Sequence, residues 1–327
     1  MIEAASEVER WELIEPFVTA RDANTHVPVL VVRLTGPGGH RGWAEAAGVD
    51  YDGETPESMA AQVAAVRDAL HDRLTGTELL TVLPAGGARN AVDCALWDLR
   101  AKESGRPAWQ LAGLPEPNPV TTAFTIGLGD ESEVRRKARE ARDYPLLKLK
   151  VDAERHIDLV HCVREVHPAA RIIVDANQSW TRTLLERLLP QLLMLGVEMV
   201  EQPVRRGDDA TLDGLRSPMP IAADESCTDR HSLAELAGRY QSINVKLDKC
   251  GGLTEALAMC AEARRLGLGL MVGNMCGTSL AMAPAFLVAQ ACAVTDLDGP
   301  LLQRLDRPHA IRFDRGLMHV PDRALWG

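Results

Sequence analysis

The chain of 327 residues carries a formal net charge of −10, with 46% hydrophobic, 25% charged and 4% aromatic side chains, an ordinary globular composition. Its length suggests one large α/β barrel with an appendage, or two domains. The acidic balance, with no basic stripe, argues against nucleic acid or an anionic membrane surface as partner. Seven cysteines without a C-x-x-C pair indicate neither a disulfide framework nor a thiolate zinc site, and a reducing, cytoplasmic location is expected. The N-terminus is charged from Glu3 and has no signal-peptide pattern. The most apolar stretch, Leu280 to Val294, is interrupted by Pro284 and Gln290 and reads as a buried helix, too short to span a bilayer.

Residues 1–115 read as an α+β capping domain. A strand-like run near Trp11–Ile14, a second at Val29–Leu34, the turn Gly36-Pro37-Gly38-Gly39 and a return at Gly42-Trp43-Ala44-Glu45 make a meander, after which helices dominate through Leu111. Residues 116–302 then repeat a short β-rich run followed by a helical run. The candidate strands start near Val120, Leu146, Arg171, Glu198, Ile221, Ser242, Gly269 and Thr295, spaced 21 to 27 residues apart. The helical runs are Glu131–Arg142, Glu154–His167, Thr181–Leu195, Ser232–Gly238, Leu253–Leu266 and Ser279–Cys292. Eight evenly spaced units predict a (β/α)8 barrel, with an open doubly wound sheet as the lesser alternative. Strand-like Ile311–Phe313 and Met318–Val320, within 303–327, are expected to close back on the capping domain.

Barrel chemistry sits where strands end at the C-terminal face. Three carboxylates fall there on consecutive units: Asp175 in Ile172-Ile173-Val174-Asp175, Glu201 in Met199-Val200-Glu201-Gln202-Pro203, and Asp224 in Ala222-Ala223-Asp224-Glu225-Ser226. One alone would read as a salt-bridge partner or helix cap. Three in register would repel one another unless a hard divalent cation, most economically Mg²⁺, joins them. In Leu147-Lys148-Leu149-Lys150 strand alternation sends the leucines to the outer helices and both lysines into the barrel mouth; in Ile243-Asn244-Val245-Lys246 it sends Lys246 and Asn244 inward. Lys249 is out of phase and expected in a loop. Units two and six lie across the barrel, so one lysine flanks each side of a metal-bound substrate. That arrangement suits removal of an α-proton from one face of a carbon and its return to the other through a metal-stabilised enediolate, with lysine pKa values lowered toward those of a base. Asp296 and Asp298, after the eighth strand, share an inward face, too far round the barrel to join the triad. They suit a cationic group such as an α-ammonium, a helix cap or loop acceptor being the equal alternative. Gly251-Gly252 and Gly127-Leu128-Gly129 make no phosphate fingerprint. His156 and His161 read as helix-surface residues, and Cys276 and Asn274, just past the seventh strand, either line the pocket or serve structural roles.

These motifs, with Lys246-Leu247-Asp248-Lys249-Cys250-Gly251-Gly252 and, upstream, Gly42-Trp43-Ala44-Glu45-Ala46 and Ala91-Val92-Asp93-Cys94-Ala95-Leu96-Trp97-Asp98-Leu99, resemble the enolase superfamily, in particular its muconate-lactonizing subgroup, over essentially the whole chain. Asp296-Leu297-Asp298 is similar to the dipeptide epimerases within it. The resemblance implies that Asp175, Glu201 and Asp224 bind one Mg²⁺ per subunit, and that Lys150 and Lys246 are the acid/base pair. Lys148 would lie against metal and substrate carboxylate, and Thr125, Asn274, Asp296 and Asp298 would contact a dipeptide. The commonest activity of that group is epimerisation of L-Ala-D/L-Glu, linked to reuse of cell-wall peptides, with an arginine of the N-terminal loop meeting the glutamate; Arg21 occupies such a place, although Asp22 beside it would favour a cationic side chain. The alternatives on the same scaffold are N-acylamino acid racemisation, o-succinylbenzoate synthesis and cycloisomerisation; a non-catalytic binding protein is the reading from another class. A small-molecule substrate and a symmetric homo-oligomer are expected.

Overall fold

The computed structural model describes residues 2–18 and 23–327. The chain opens with a three-stranded antiparallel sheet of β1 (Glu3–Val18), β2 (Ala23–Thr35) and β3 (Arg41–Ala46), in which β2 is central. Both hairpin strands are longer than the apolar runs that announced them. Their extensions are mostly exposed, with only scattered apolar residues such as Ala4, Phe17, Val18 and Val27 packed on the core, so no continuous hydrophobic alternation marks them. Helices α1 (Pro56–Ala65), α2 (Gly76–Val82), α3 (Gly87–Ser104) and α4 (Ala108–Leu111) follow. Helix α3 lies hard against β3: a Cβ on Gly42 would fall 2.3 Å from the Ala95 carbonyl oxygen and 2.4 Å from the Leu99 nitrogen, so only glycine permits the approach.

After β4 (Val120–Thr121), the strands β5 (Phe124–Ile126), β6 (Leu146–Lys150), β7 (Arg171–Asp175), β8 (Val197–Glu201), β9 (Ile221–Ala223), β10 (Ser242–Val245), β11 (Gly269–Val272) and β12 (Val294–Thr295) form one parallel eight-stranded sheet in sequence order. A parallel bridge between Thr122 and Thr295, with Ala123 N donating to Thr295 O at 2.8 Å, joins its two edges, so the sheet is a (β/α)8 barrel. Helical segments follow every strand: α5 (Glu131–Glu140), α6 (Ile157–Val166), α7 (Arg182–Met194), α8 (Leu233–Leu236), α9 (Leu247–Cys250) with α10 (Leu253–Arg265), and α11 (Ser279–Ala289). After β8 and β12 they shrink to 3₁₀ turns at Asp209–Leu212 and Gly299–Leu302. Helix α11 is buried along nearly its whole length, as its apolar composition required. No helix among the described residues is long and apolar enough to cross a membrane.

Three expectations are corrected. The first barrel strand was expected from Val120, but Val120–Thr121 pairs with a C-terminal hairpin, β13 (Phe313–Asp314) and β14 (Leu317–Met318), and the barrel strand begins beyond it. The last residues reach α3 of the N-terminal part, through Trp326 Nε1 to Cys94 O (3.0 Å) and Gly327 N to Asp98 Oδ1 (2.7 Å). Helix α6 starts at Ile157, not Glu154, because Asp152 accepts the Glu154 and Arg155 amides in a turn; His156, no surface residue of the helix, then caps it by accepting Ile157 N at 2.8 Å.

Strand alternation sorts the barrel. Leu147 and Leu149 face the helices with the main core, whereas Leu146 joins Ala123, Ile173, Met199, Ala222, Met271 and Val294 in a separate apolar cluster inside. That cluster floors the barrel, and the polar residues one and two pleats further on stand above it at the C-terminal ends.

Candidate active site

Asp175, Glu201 and Asp224 converge from the ends of β7, β8 and β9. One carboxylate oxygen from each lies within 4.8 Å of the others, and all three residues are buried. Three buried carboxylates at this distance are accommodated by positive charge. Lys148 supplies part, with Nζ 3.0 Å from Asp175 Oδ2, 2.7 Å from Glu201 Oε2 and 2.9 Å from Asp296 Oδ2. It thus ties Asp296 to the triad, although barrel order alone had set the two apart. Lys150 Nζ lies 2.7 Å from Asp175 Oδ2, and Lys246 Nζ 2.7 Å from Asp224 Oδ2.

Lys249 is no loop residue. It lies in the single turn of α9, buried, with Nζ 2.6 Å from Asp224 Oδ1, donating also to Asp224 O and, at 3.1 Å, to Asn244 O. Strand phase placed it wrongly because the chain turns helical directly after Lys246. Sequence reasoning also passed over Gln202, whose Oε1 accepts Asp224 N (2.8 Å) and Ser226 N (3.2 Å), and gave Asn244 no role, although its Nδ2 donates to Glu201 Oε1 at 2.7 Å. A buried amide beside a carboxylate carries no periodic signal that would have singled it out.

The electrostatics are those of carboxylates crowded in a buried site. Burial, then the neighbouring Asp175 charge, pushes Glu201 up to about 8. Burial also works against Asp175 and Asp224, but Lys148 and Lys150 on the first, and Lys246 and Lys249 on the second, overcome it and hold both below the usual carboxylate range. Lys246 was expected to be lowered; burial does act that way, but Asp224 outweighs it and the ammonium is held above its ordinary value. The donor set fits a small hard cation. It comprises three buried carboxylate oxygens, and Glu201 Oε2 makes no hydrogen bond, its approach to Lys148 being an ion pair without hydrogen-bond geometry.

Lys150, Lys246, Asp224, Asn177, Asn274, Met275 and Cys276 line one side of a cavity of about 120 Å³, closed on the other by Phe17, Asn24, Asp50 and Tyr51 of the N-terminal part. A neighbouring cavity of about 390 Å³ shares Phe17, Asn24, Asp50, Met275 and Cys276 with it and extends between β1, β2 and Glu54–Glu57. Asp296 and Asp298 lie deeper, behind Asn274, whose Nδ2 donates to Asp296 O at 2.7 Å. Thr125 links the pair, its amide donating to Asp298 Oδ2 (2.6 Å) and its hydroxyl to Asp296 Oδ1 (3.3 Å). Burial, then Asp296, pushes Asp298 up to about 7. Arg21 lies outside the described residues.

Two family models match the chain: the mandelate racemase / muconate lactonizing enzyme N-terminal domain over residues 1–113, and the enolase C-terminal domain-like model over residues 132–324. The chain is 41% identical to an L-Ala-D/L-Glu epimerase of Escherichia coli K12 over 314 residues, covering 95% of this chain and 98% of that one. Among solved structures it matches an enolase family member from Agrobacterium tumefaciens with homology to dipeptide epimerases, containing sodium and L-Ala-L-Glu, at TM-score 0.96 and 42% identity over 100% of both chains. A dipeptide epimerase from Methylococcus capsulatus complexed with Mg and L-Arg-D-Lys matches at TM-score 0.91 and 30% identity, covering 99% of this chain and 98% of that one.

Proposed function

The chain belongs to the mandelate racemase / muconate lactonizing enzyme family of the enolase superfamily, and on that premise we propose that it is a Mg²⁺-dependent dipeptide epimerase acting on L-Ala-D/L-Glu. The observation that carries this reading is the pair of lysines from opposite strands, Lys150 and Lys246, which line one cavity and each bond a different carboxylate of one triad.

Asp175, Glu201 and Asp224 would hold the cation, which supplies Lewis-acid stabilisation of negative charge developing on the substrate carboxylate. Lys148, fixed between Asp175, Glu201 and Asp296, adds a second positive charge beside that carboxylate. Asp296 and Asp298 retain acceptor capacity beyond Lys148 and Thr125 and receive the substrate ammonium, with Asn274 and Thr125 fixing their orientation. This sets the C-terminal α-carbon between the lysines. One lysine takes the α-proton, and the opposite one delivers a proton to the other face. Asp224 Oδ2, 2.7 Å from Lys246 Nζ, orients that side chain toward the cavity; the lysine that takes the α-proton does so as the neutral amine, and the opposite one gives up its proton as the ammonium. Arg21, in the segment joining β1 to β2, would meet the glutamate side chain. A role in reuse of cell-wall peptides accords with that substrate, and Asp296 with Asp298 favours a free amino terminus over the N-acyl substrates of the alternative readings.

The test is proton NMR in D2O with Mg²⁺ and L-Ala-L-Glu. Loss of the glutamate α-proton signal with appearance of the L,D diastereomer supports the reading; no exchange here, with exchange of an N-acylglutamate run alongside, would replace it by N-acylamino acid racemisation.

A further inference from the structure

The segment directly after Lys246 is held by the N-terminal part of the chain, and Gly251-Gly252, which makes no phosphate loop, is the socket. Arg89 of α3 is buried and sends Nη2 to Cys250 O (2.7 Å) and Nε to Gly251 O (3.2 Å), with Nη1 on Leu83 O (3.1 Å). One turn further along α3, Asp93 accepts Thr254 N (2.8 Å) and Thr254 Oγ1 (2.6 Å). The cation thus meets the carbonyl end of α9 and the anion the amide end of α10, which is where each complements the unpaired backbone groups. Both glycines have positive φ, +77° and +112°. A Cβ at Gly251 would stand 2.3 Å from Arg89 Nε, and one at Gly252 2.5 Å from Asp93 Oδ2. A third tie is Asp248, which accepts Gly48 N at 2.9 Å.

Lys246 is the residue that enters α9, so these three ties, at Asp248, Cys250–Gly251 and Thr254, fix the backbone that follows it. The end of β6 beyond Lys150 is held otherwise, by contacts internal to the barrel: Val151 N to Asp175 O (2.9 Å) and Trp180 Nε1 to Asp152 O (2.9 Å). The two lysines therefore differ in what positions them.

We propose that Arg89 and Asp93 are positioning residues for Lys246 alone, so that the N-terminal part governs proton transfer on one face of the substrate carbon and not on the other. This rests on the reading of Lys150 and Lys246 as opposed proton-transfer groups. A lysine displaced by a fraction of an ångström loses rate steeply, whereas its undisturbed partner still exchanges the diastereomer that presents a proton to it.

The experiment measures initial α-proton exchange in D2O with Mg²⁺ for L-Ala-L-Glu and L-Ala-D-Glu separately, in the wild type, Lys246→Ala and Arg89→Met. Arg89→Met is expected to slow exchange of the diastereomer that Lys246→Ala fails to exchange by at least about tenfold, leaving the other unchanged within error. Equal losses for both diastereomers, or no loss, would overturn the proposal. Should Arg89→Met not fold, Arg89→Lys and Asp93→Asn decide by the same one-sided criterion. A wild type that exchanges neither dipeptide would overturn the epimerase reading itself, an outcome seen before any variant is compared.

Discussion

Lys150 and Lys246 reach one cavity from β6 and β10, and each rests its ammonium 2.7 Å from a different member of the same carboxylate triad, Asp175 Oδ2 and Asp224 Oδ2. On the proposed reading, a carboxylate that would hold the cation also pairs with a proton-transfer lysine, and the two positive charges would share the same oxygens.

Removal of the cation is therefore expected to abolish activity. Chelation should eliminate epimerisation and added Mg²⁺ restore it, and Mg²⁺ at a hundredfold excess over its Kd should stabilise the fold by about 2.7 kcal/mol. Glu201→Gln should lose both the activity and the thermal shift on Mg²⁺ addition. Full activity in chelator would contradict the assignment.

The aspartate pair predicts substrate class. Asp298→Asn and Asp296→Asn each remove a charge-assisted contact of about 1.5–3 kcal/mol to an ammonium, roughly a ten- to hundredfold loss of kcat/KM on free dipeptides. Turnover measured on L-Ala-L-Glu in each variant decides the matter; unchanged kcat/KM would show that the ammonium binds elsewhere.

Asp93 gives the stability a specific pH dependence. Burial, only partly offset by its bonds to Thr254, raises its pKa from 3.8 to about 6. The folded state therefore binds more protons than the unfolded one between those values, and the contribution of Asp93 is most favourable below about pH 4 and falls by about 3 kcal/mol by pH 7. Denaturant unfolding across this window should show the wild type losing stability relative to Asp93→Asn as pH rises; parallel curves would refute the shift.

Much of this was legible in the amino-acid order, and what was not has definite causes. The 21- to 27-residue spacing of β-rich runs gives the barrel because each strand and its return helix need that much chain. Alternation in Leu146–Lys150 separates floor, helix-facing and site-facing side chains because a barrel strand has two fixed faces. Val120 misled because two β-prone runs, 120–121 and 124–126, stand two residues apart and only pairing partners distinguish them. Lys249 was misplaced because alternation stops where β10 turns into α9. Arg89 and Asp93 gave no sign of a role near Lys246, since helical periodicity reports that a face is buried but not which distant segment covers it.

The measurement that bears most directly on the central claim is stereo-resolved exchange in the two lysine variants. Lys150→Ala and Lys246→Ala should each lose epimerisation by about 10²–10⁴-fold, while each still exchanges the α-proton of one diastereomer of Ala-Glu, and not the same one. Near-normal epimerisation by either variant, or loss of exchange for the same diastereomer in both, would contradict the two-sided mechanism.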